Sequence, residues 1–419
     1  MLHRLSVFFV PLFAAIFSAL FWIYPVGAGS MPALQNPPII LKASNVLPKS
    51  VLAGPGFSVE PTVENDGFVN IYRVSTEHGP LRVESTTLLM ERINELQALR
   101  HMEELKQTRA YGEALKQGAT APLKAAKGMV TEPIETAKGV ATGVGRWFSD
   151  VGRSIVSDDP HQENVLKTAI GYAGMKRKYA YEYGIDPYTT YEPVQQRLSE
   201  LARASVAGGL TPKIAFGFLK RPAATALRVT GTSDTMRKLV RDKSPAQLAK
   251  INEKKLDAMG IPDSVAEDFL KNPHYNPQET TLIVGELDRM QYVDGRENFV
   301  AAAAQATEYS VARFMRLRAQ MMGNYHAKIK PAGRIVDVNG VPFFQRKDGL
   351  IVGLFPLDYV AWTPALMGKE KAAAIAVKNI KGMSGKELWA AGRVSPSARK
   401  ALEAKGWKVK DSVRDKLTR

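Results

Sequence analysis

Between residues 158 and 324 the apolar side chains recur at steps of three and four, and that spacing commits the middle of this 419-residue chain to helix. The clearest run is Phe299, Ala303, Ala306, Ser310, Phe314, Leu317 and Met321. It predicts one helix from Gly295 to about Met322, with Phe299, Phe314 and Leu317 buried. The alanines at 301–304 would allow a neighbouring helix to approach closely. Other helices announce their starts. Asp159-Pro160-His161-Gln162, Ser244-Pro245-Ala246-Gln247 and Asn276-Pro277-Gln278-Glu279 each place a capping side chain before proline at N1 and an acceptor at N3. Tyr191 to Ala207 and Asp263 to Leu270 complete the set. An all-helical domain over 158–324 is the expectation.

The flanks change period. Phe57 to Val63 and Phe68 to Val74 read as strands around Asp66-Gly67, followed by a long helix from Thr86 to Lys116, so 56–118 is a hairpin plus helix. The proline-rich segment before it, 29–55, reads as a linker. Residues 325–364 hold strand-like runs around Asn339-Gly340 and Asp348-Gly349, an antiparallel meander. From 365 to 419 the chain reads as a basic helical tail, with short helices starting at Ser384 and Ser395. The expected fold class is mainly α with small antiparallel β elements: an all-helical central domain, a short N-terminal hairpin and a C-terminal β-meander.

The first 28 residues read as an export signal. His3 and Arg4 precede an apolar run from Val7 to Ile23, and Val26-Gly27-Ala28 is a small-x-small cleavage site. Left uncleaved, the same run would serve as an N-terminal anchor. The reading places the chain in the periplasm or outside the cell.

Segment 119–157 carries an internal repeat. Pro122-Leu123-Lys124-Ala125-Ala126-Lys127-Gly128 lies in register with Pro133-Ile134-Glu135-Thr136-Ala137-Lys138-Gly139. A repeat of 11 residues is three helical turns, so one face recurs without drift. Five glycines between Gly128 and Gly152 weaken such a helix in water by about 1 kcal/mol each. The segment resembles, in period and composition only, the 11-residue lipid-surface repeats of synucleins and perilipins; Ala137-Lys138-Gly139-Val140 is the closest echo. That resemblance implies an interfacial helix in which Lys124, Lys127, Lys138 and Arg146 meet anionic headgroups while Ile134, Trp147 and Phe148 dip below them. The alternative is an amphipathic arm packed on its own protein.

Net charge is +16, and residues 368–419 hold 14 Lys or Arg against 5 Asp or Glu. Such a balance favours anionic partners. Without cysteine, thiolate metal sites, disulfides and a Cys nucleophile are excluded. No complete catalytic motif is present. Gly385-Lys386 lacks the first glycine of a phosphate-binding loop, and Ser397-Ala398-Arg399-Lys400 lacks its companion elements. Spacing suggests no metal cluster and no cofactor. His274, in a turn close to Glu279, is the one histidine set where a site could form. The sequence therefore reads as an exported, non-catalytic envelope protein associating with an anionic lipid surface or other anionic envelope polymer through the repeat and the basic tail. The alternatives are a binder of nucleic acid or acidic polymer, and an enzyme of unknown type centred near His274.

Overall fold

The structure is a computed structural model that describes residues 32–109, 111–113, 116, 160–206 and 234–418. Its first unit of architecture begins inside the segment expected to be a linker. Ile39–Lys42 (β1) pairs antiparallel with Thr62–Asn65 (β4), and Ala43–Val46 (α1) and Lys49–Leu52 (α2) bury Ala43, Leu47 and Val51. Residues 32–55 are thus a built part of the fold. Ala53–Gly54 (β2), Phe57–Val59 (β3), Asn70–Thr76 (β5) and Leu81–Glu84 (β6) complete a six-stranded antiparallel sheet, curled into a half-barrel. Asn70, Tyr72 and Val74 turn inward while Arg73 and Ser75 face out, the two-residue alternation of a sheet with one buried face.

That face closes on Thr86–Lys106 (α3). Ser85 caps the helix, accepting from the Leu88 amide at 3.2 Å, and Leu89, Ile93, Leu96, Leu99 and Met102 enter the core. Helix α3 ends at Lys106 and the chain breaks helical pairing at 107–108; among the described residues beyond, 109, 111–113 and 116 are again helical, so the expected span to Lys116 is interrupted. Thr108 turns its hydroxyl onto the Leu105 carbonyl at 2.7 Å and accepts from the Tyr111 amide, a local competition that breaks helical pairing. Pro160–Tyr183 (α4) and Glu192–Val206 (α5) pack on the same core through Tyr179, Val194, Leu198 and Leu201.

A helical layer follows: Asp234–Asp242 (α6), Pro245–Ala258 (α7), Asp263–Leu270 (α8), Pro277–Arg289 (α9), Arg296–Ala304 (α10) and Tyr309–Lys328 (α11). The capping boxes at Ser244 and Asn276 are both formed. The long helix expected from Gly295 to Met322 is instead two. Asn272 donates to the carbonyls of Ala304 and Ala306 at 2.9 Å each, and the Tyr275 hydroxyl to that of Ala303, so the end of α10 finds partners elsewhere. Phe299 and Leu317 are buried as expected; Phe314 is only half-buried, because the core face of α11 runs through its neighbours.

The last third corrects the fold class. Ala332–Val338 (β7), Val341–Arg346 (β8) and Leu350–Phe355 (β9) form the antiparallel meander. The sheet then continues with two parallel strands, Gly385–Ala390 (β11) and Trp407–Lys410 (β13), in the order β13-β11-β9-β8-β7. Pro364–Lys378 (α12) and Pro396–Ala404 (α13) are the crossovers. A short parallel pair, Tyr359–Val360 (β10) with Arg393–Val394 (β12), lies beside them, and Arg414–Leu417 (α14) ends the chain. Side chains alternate between two cores. Phe343, Ile351 and Leu388 meet α12 and α13, while Phe344, Val352 and Trp389 meet the helical layer. The result is a three-layer α/β/α module. The described residues are 54% helical and 19% strand, a mixed α/β fold, not a mainly helical one with small β elements. Nor is 365–419 a helical tail: Ser384 precedes a strand, and only Ser395 caps a helix.

Helix α11 is buried almost all round, although it carries many polar residues. Arg318 donates to the carbonyls of Leu354 at 3.0 Å and Pro342 at 2.6 Å and lies over the Phe355 ring. Gln320 and Asn324 hold the carbonyls of Thr418 and Leu417. Nearer its start, Arg313 and Arg316 both pair with Glu91 of α3, and Arg313 lies 3.7 Å from Glu279 of α9. Asp186, in the turn between α4 and α5, accepts from Asn276 at 2.9 Å. Burial pushes the carboxyl of Asp186 up to about 6 and that of Glu279 up to about 8. This polar seam joins the N-terminal half-barrel to the helical layer.

Candidate functional site

Parallel strands leave a crevice where their carboxyl ends point, and in open α/β sheets ligands bind there. In this fold three parallel strands end together. Beyond β9 come Asp358 and Tyr359, beyond β11 come Ala391, Gly392 and Arg393, and beyond β13 come Ser412, Arg414 and Asp415. Facing them is the Ser44–Pro48 stretch at α1. The cleft between has a volume of about 420 Å³.

Backbone contacts stack the three strand-end turns. The Gly392 amide donates to Leu357 O, Arg393 to Asp358 O, Ser412 to Gly392 O and Arg414 to Ala391 O, all at 2.7–2.9 Å. Glycine is required at 392: a Cβ there would stand 1.8 Å from the Asp358 carbonyl oxygen. Ser412 holds a left-handed φ of 56° at the rim, a conformation that costs a non-glycine residue about 1 kcal/mol or more.

The floor is a charge buckle. One oxygen of the buried Asp358 accepts from the backbone amides of Asn70 at 3.1 Å and Thr86 at 2.9 Å. The other accepts from Arg414 at 2.5 Å, and Arg414 also donates to Thr87 at 2.6 Å. Thr86 opens α3, so the carboxylate meets the positive end of that helix as well. Behind it, Asn65, Asn70, Tyr72 and Thr86 form a hydrogen-bonded chain, and burial holds the Tyr72 phenol well above its ordinary value. Asp358 is buried, and each of its oxygens already accepts a hydrogen bond. The groups left to meet a ligand are those at the rim.

A second feature lies on the outer surface of the module. Thr363 caps α12, and Met367, Lys371, Ile375 and Lys378 follow at helical spacing on its outer face. Ile375 is 59% exposed and Met367 41%, with Met383 beyond the helix end at 38%, a large exposure for apolar side chains on one element. Lys369, Lys371, Lys378 and Lys381 surround them, all exposed. The one carboxylate of α12, Glu370, is turned inward, where Lys405 at 3.1 Å and the Trp407 ring nitrogen at 3.2 Å hold it. The outer face is therefore apolar and cationic with no acid of its own.

The residues expected to touch lipid, Lys124, Lys127, Ile134, Lys138, Arg146, Trp147 and Phe148, lie outside the described residues, as does the apolar run Val7–Ile23. Among the described residues no helix is long and apolar enough to cross a membrane. The structure separates the other pair. Glu279 is enclosed in the polar seam, His274 is half-exposed in its turn, and no hydrogen bond or ion pair joins them among the described residues. Nor, among the described residues, do three His, Asp or Glu side chains gather as metal ligands. Asp358, Arg393 and Arg414 escape a sequence reading because 384–390 imitates a helix start, which hides the parallel strands that assemble the cleft.

Fold and cleft define a three-layer α/β/α module with a half-barrel docked across its strand ends. No protein family, curated protein or solved structure matches the chain.

Proposed function

We propose that this chain is an exported envelope protein that rests on an anionic membrane surface, with α12 as a contact of its folded part and the 122–155 repeat as a second. The observation that carries the reading is the outer face of α12, where exposed Met367 and Ile375 are interleaved with lysines and no acid. An interfacial helix has this composition: apolar groups enter the headgroup boundary while cations meet lipid phosphate. Each lysine near an anionic leaflet adds about 1 kcal/mol. Full burial of an Ile or Met side chain adds about 1.5–3 kcal/mol. The face is shallow, so binding is reversible and weakened by salt.

The test is co-sedimentation of the mature chain with vesicles of phosphatidylglycerol or of phosphatidylcholine. Binding is expected to the first alone. Lys371→Glu with Lys378→Glu should weaken it about tenfold or more, from the loss of about 2 kcal/mol of attraction and the added repulsion. Equal binding to both vesicles, or no effect of the double variant, overturns the role of α12. Capture of duplex DNA or polyglutamate in preference to vesicles would instead favour the acidic-polymer reading.

Export carries its own prediction. Mass spectrometry of the envelope fraction should find the mature chain starting near Gly29 or Met31, or an intact Met1 confined to membranes if the run anchors the protein. An intact Met1 in a soluble cytoplasmic pool would refute both versions.

A further inference from the structure

We propose that the cleft outside the carboxyl ends of β9, β11 and β13 is a binding site for a small organic anion, a sugar or polyol bearing a phosphate or carboxylate group. The inference is separate from membrane association, which concerns the outer face of α12.

Charge selects the ligand's sign. Of the two arginines in the lining, Arg414 is neutralised by Asp358. Arg393 is exposed, and among the described residues its guanidinium meets no carboxylate. The other acid of the lining, Asp415, is exposed and not free. Among the described residues Arg393 is thus the one arginine of the lining without a carboxylate partner. Its planar set of donors matches a carboxylate or phosphate in two parallel hydrogen bonds. Arg393 is held in place from below. Its residue is the first of β12, fixed by its own amide to the Asp358 carbonyl at 2.9 Å, and the next amide, of Val394, donates to Asp411 at 2.9 Å.

Size and lining select the ligand's body. About 420 Å³ lies within the range of small-molecule sites, and it leaves room around a bare phosphate that an organic group would fill. Ser44, Asn45 and Ser412 are exposed in the lining, and among the described residues their side chains make no hydrogen bond, so they are free to meet hydroxyl groups. Val46, Leu47 and Pro48 give one wall an apolar surface against which the carbon skeleton can lie. A ligand bridging the two walls would touch both the half-barrel and the α/β module, so binding should raise the stability of the whole chain.

The experiment uses the full chain and four probes: glucose 6-phosphate, glucuronate, glucose and inorganic phosphate. Melting temperature and calorimetric titration report binding. Both anionic sugars, or one of them, should stabilise and bind, glucose should not, and inorganic phosphate should bind more weakly than the anionic sugar. Comparing glucose 6-phosphate with glucuronate shows which anion the guanidinium prefers. Arg393→Glu should leave the unliganded melting temperature unchanged and weaken binding of the anionic sugar about tenfold or more, with Arg393→Lys intermediate. Failure of both anionic sugars to bind overturns the proposal, as does an Arg393→Glu protein that binds as well as the parent. Phosphate binding equal to that of the sugar phosphate would remove the organic body from it. Arg393→Glu should not alter vesicle binding, so the two readings fail separately.

Discussion

Replacing Asp358 by Ala is expected to cost about 3–5 kcal/mol, the penalty for removing one member of a buried pair. The carboxylate serves three donors at once. Its loss strands the amides of Asn70 and Thr86 and leaves Arg414 with Thr87 alone. It also removes the anion from the first turn of α3. Asp358 belongs to the α/β module and its two amide partners to the half-barrel, so the contact joins architectures whose fully buried residues form separate cores, beside Phe68, which packs on the module. Against a total stability of about 5–15 kcal/mol, a loss of this size is large. The expected readout in urea is a lower midpoint and a transition split in two, with the half-barrel unfolding before the module. Arg414→Met should cost less, since the carboxylate keeps its amide donors. The double variant should fall short of the sum, because the two side chains share one interaction. A loss below about 1 kcal/mol for Asp358→Ala would show that the buckle is dispensable.

What was legible in the sequence was local. The capping boxes at Ser244 and Asn276 and the turn at Asn339-Gly340, with φ of 54° and 78°, are set by neighbours two or three residues away, and each is present. The failures are non-local. Ser384-Gly385-Lys386-Glu387 has the composition of a helix cap, yet Leu388, Trp389 and Ala390 are buried between parallel neighbours contributed by residues 350–355 and 407–410. A strand covered on both faces loses the alternation that would reveal it. Ile39–Lys42 was hidden among prolines because its partner begins 20 residues downstream at Thr62. Underestimating those strands turned a mixed fold into a helical expectation. It also concealed the cleft, since Asp358, Arg393 and Arg414 meet only through strand order. The polar seam was equally invisible: Glu91, Asp186, Glu279 and Arg313 sit on four elements, and nothing in their spacing joins them.

That seam should make the protein less stable as pH rises from about 5 to 8. In the seam burial raises Glu279 to about 8 and Asp186 to about 6, and on α9 it raises Glu286, paired with Arg289 at 2.8 Å, to about 7, each above the ordinary carboxyl value. Through this window the folded state keeps protons that the unfolded chain has released. Stability is then full below the unfolded values and declines as pH climbs through the folded ones. The decline extends over every pH unit in which only the folded state keeps the proton, and Glu279, raised furthest, carries it to the highest pH. His326, pulled down by burial, acts in the opposite sense at the acidic end. Arg313 does not rescue an ionised Glu279: burial depresses its charged form too, and Glu91 already occupies it. Glu279→Gln keeps the shape of the protonated side chain. It should leave stability at pH 5 little changed, raise it at pH 8, and flatten the urea midpoint between them. The opposite result, a variant weaker than the parent at pH 8 and equal to it at pH 5, would mean that Glu279 is ionised in the native protein and held by Arg313 and Arg316 as a stabilising pair.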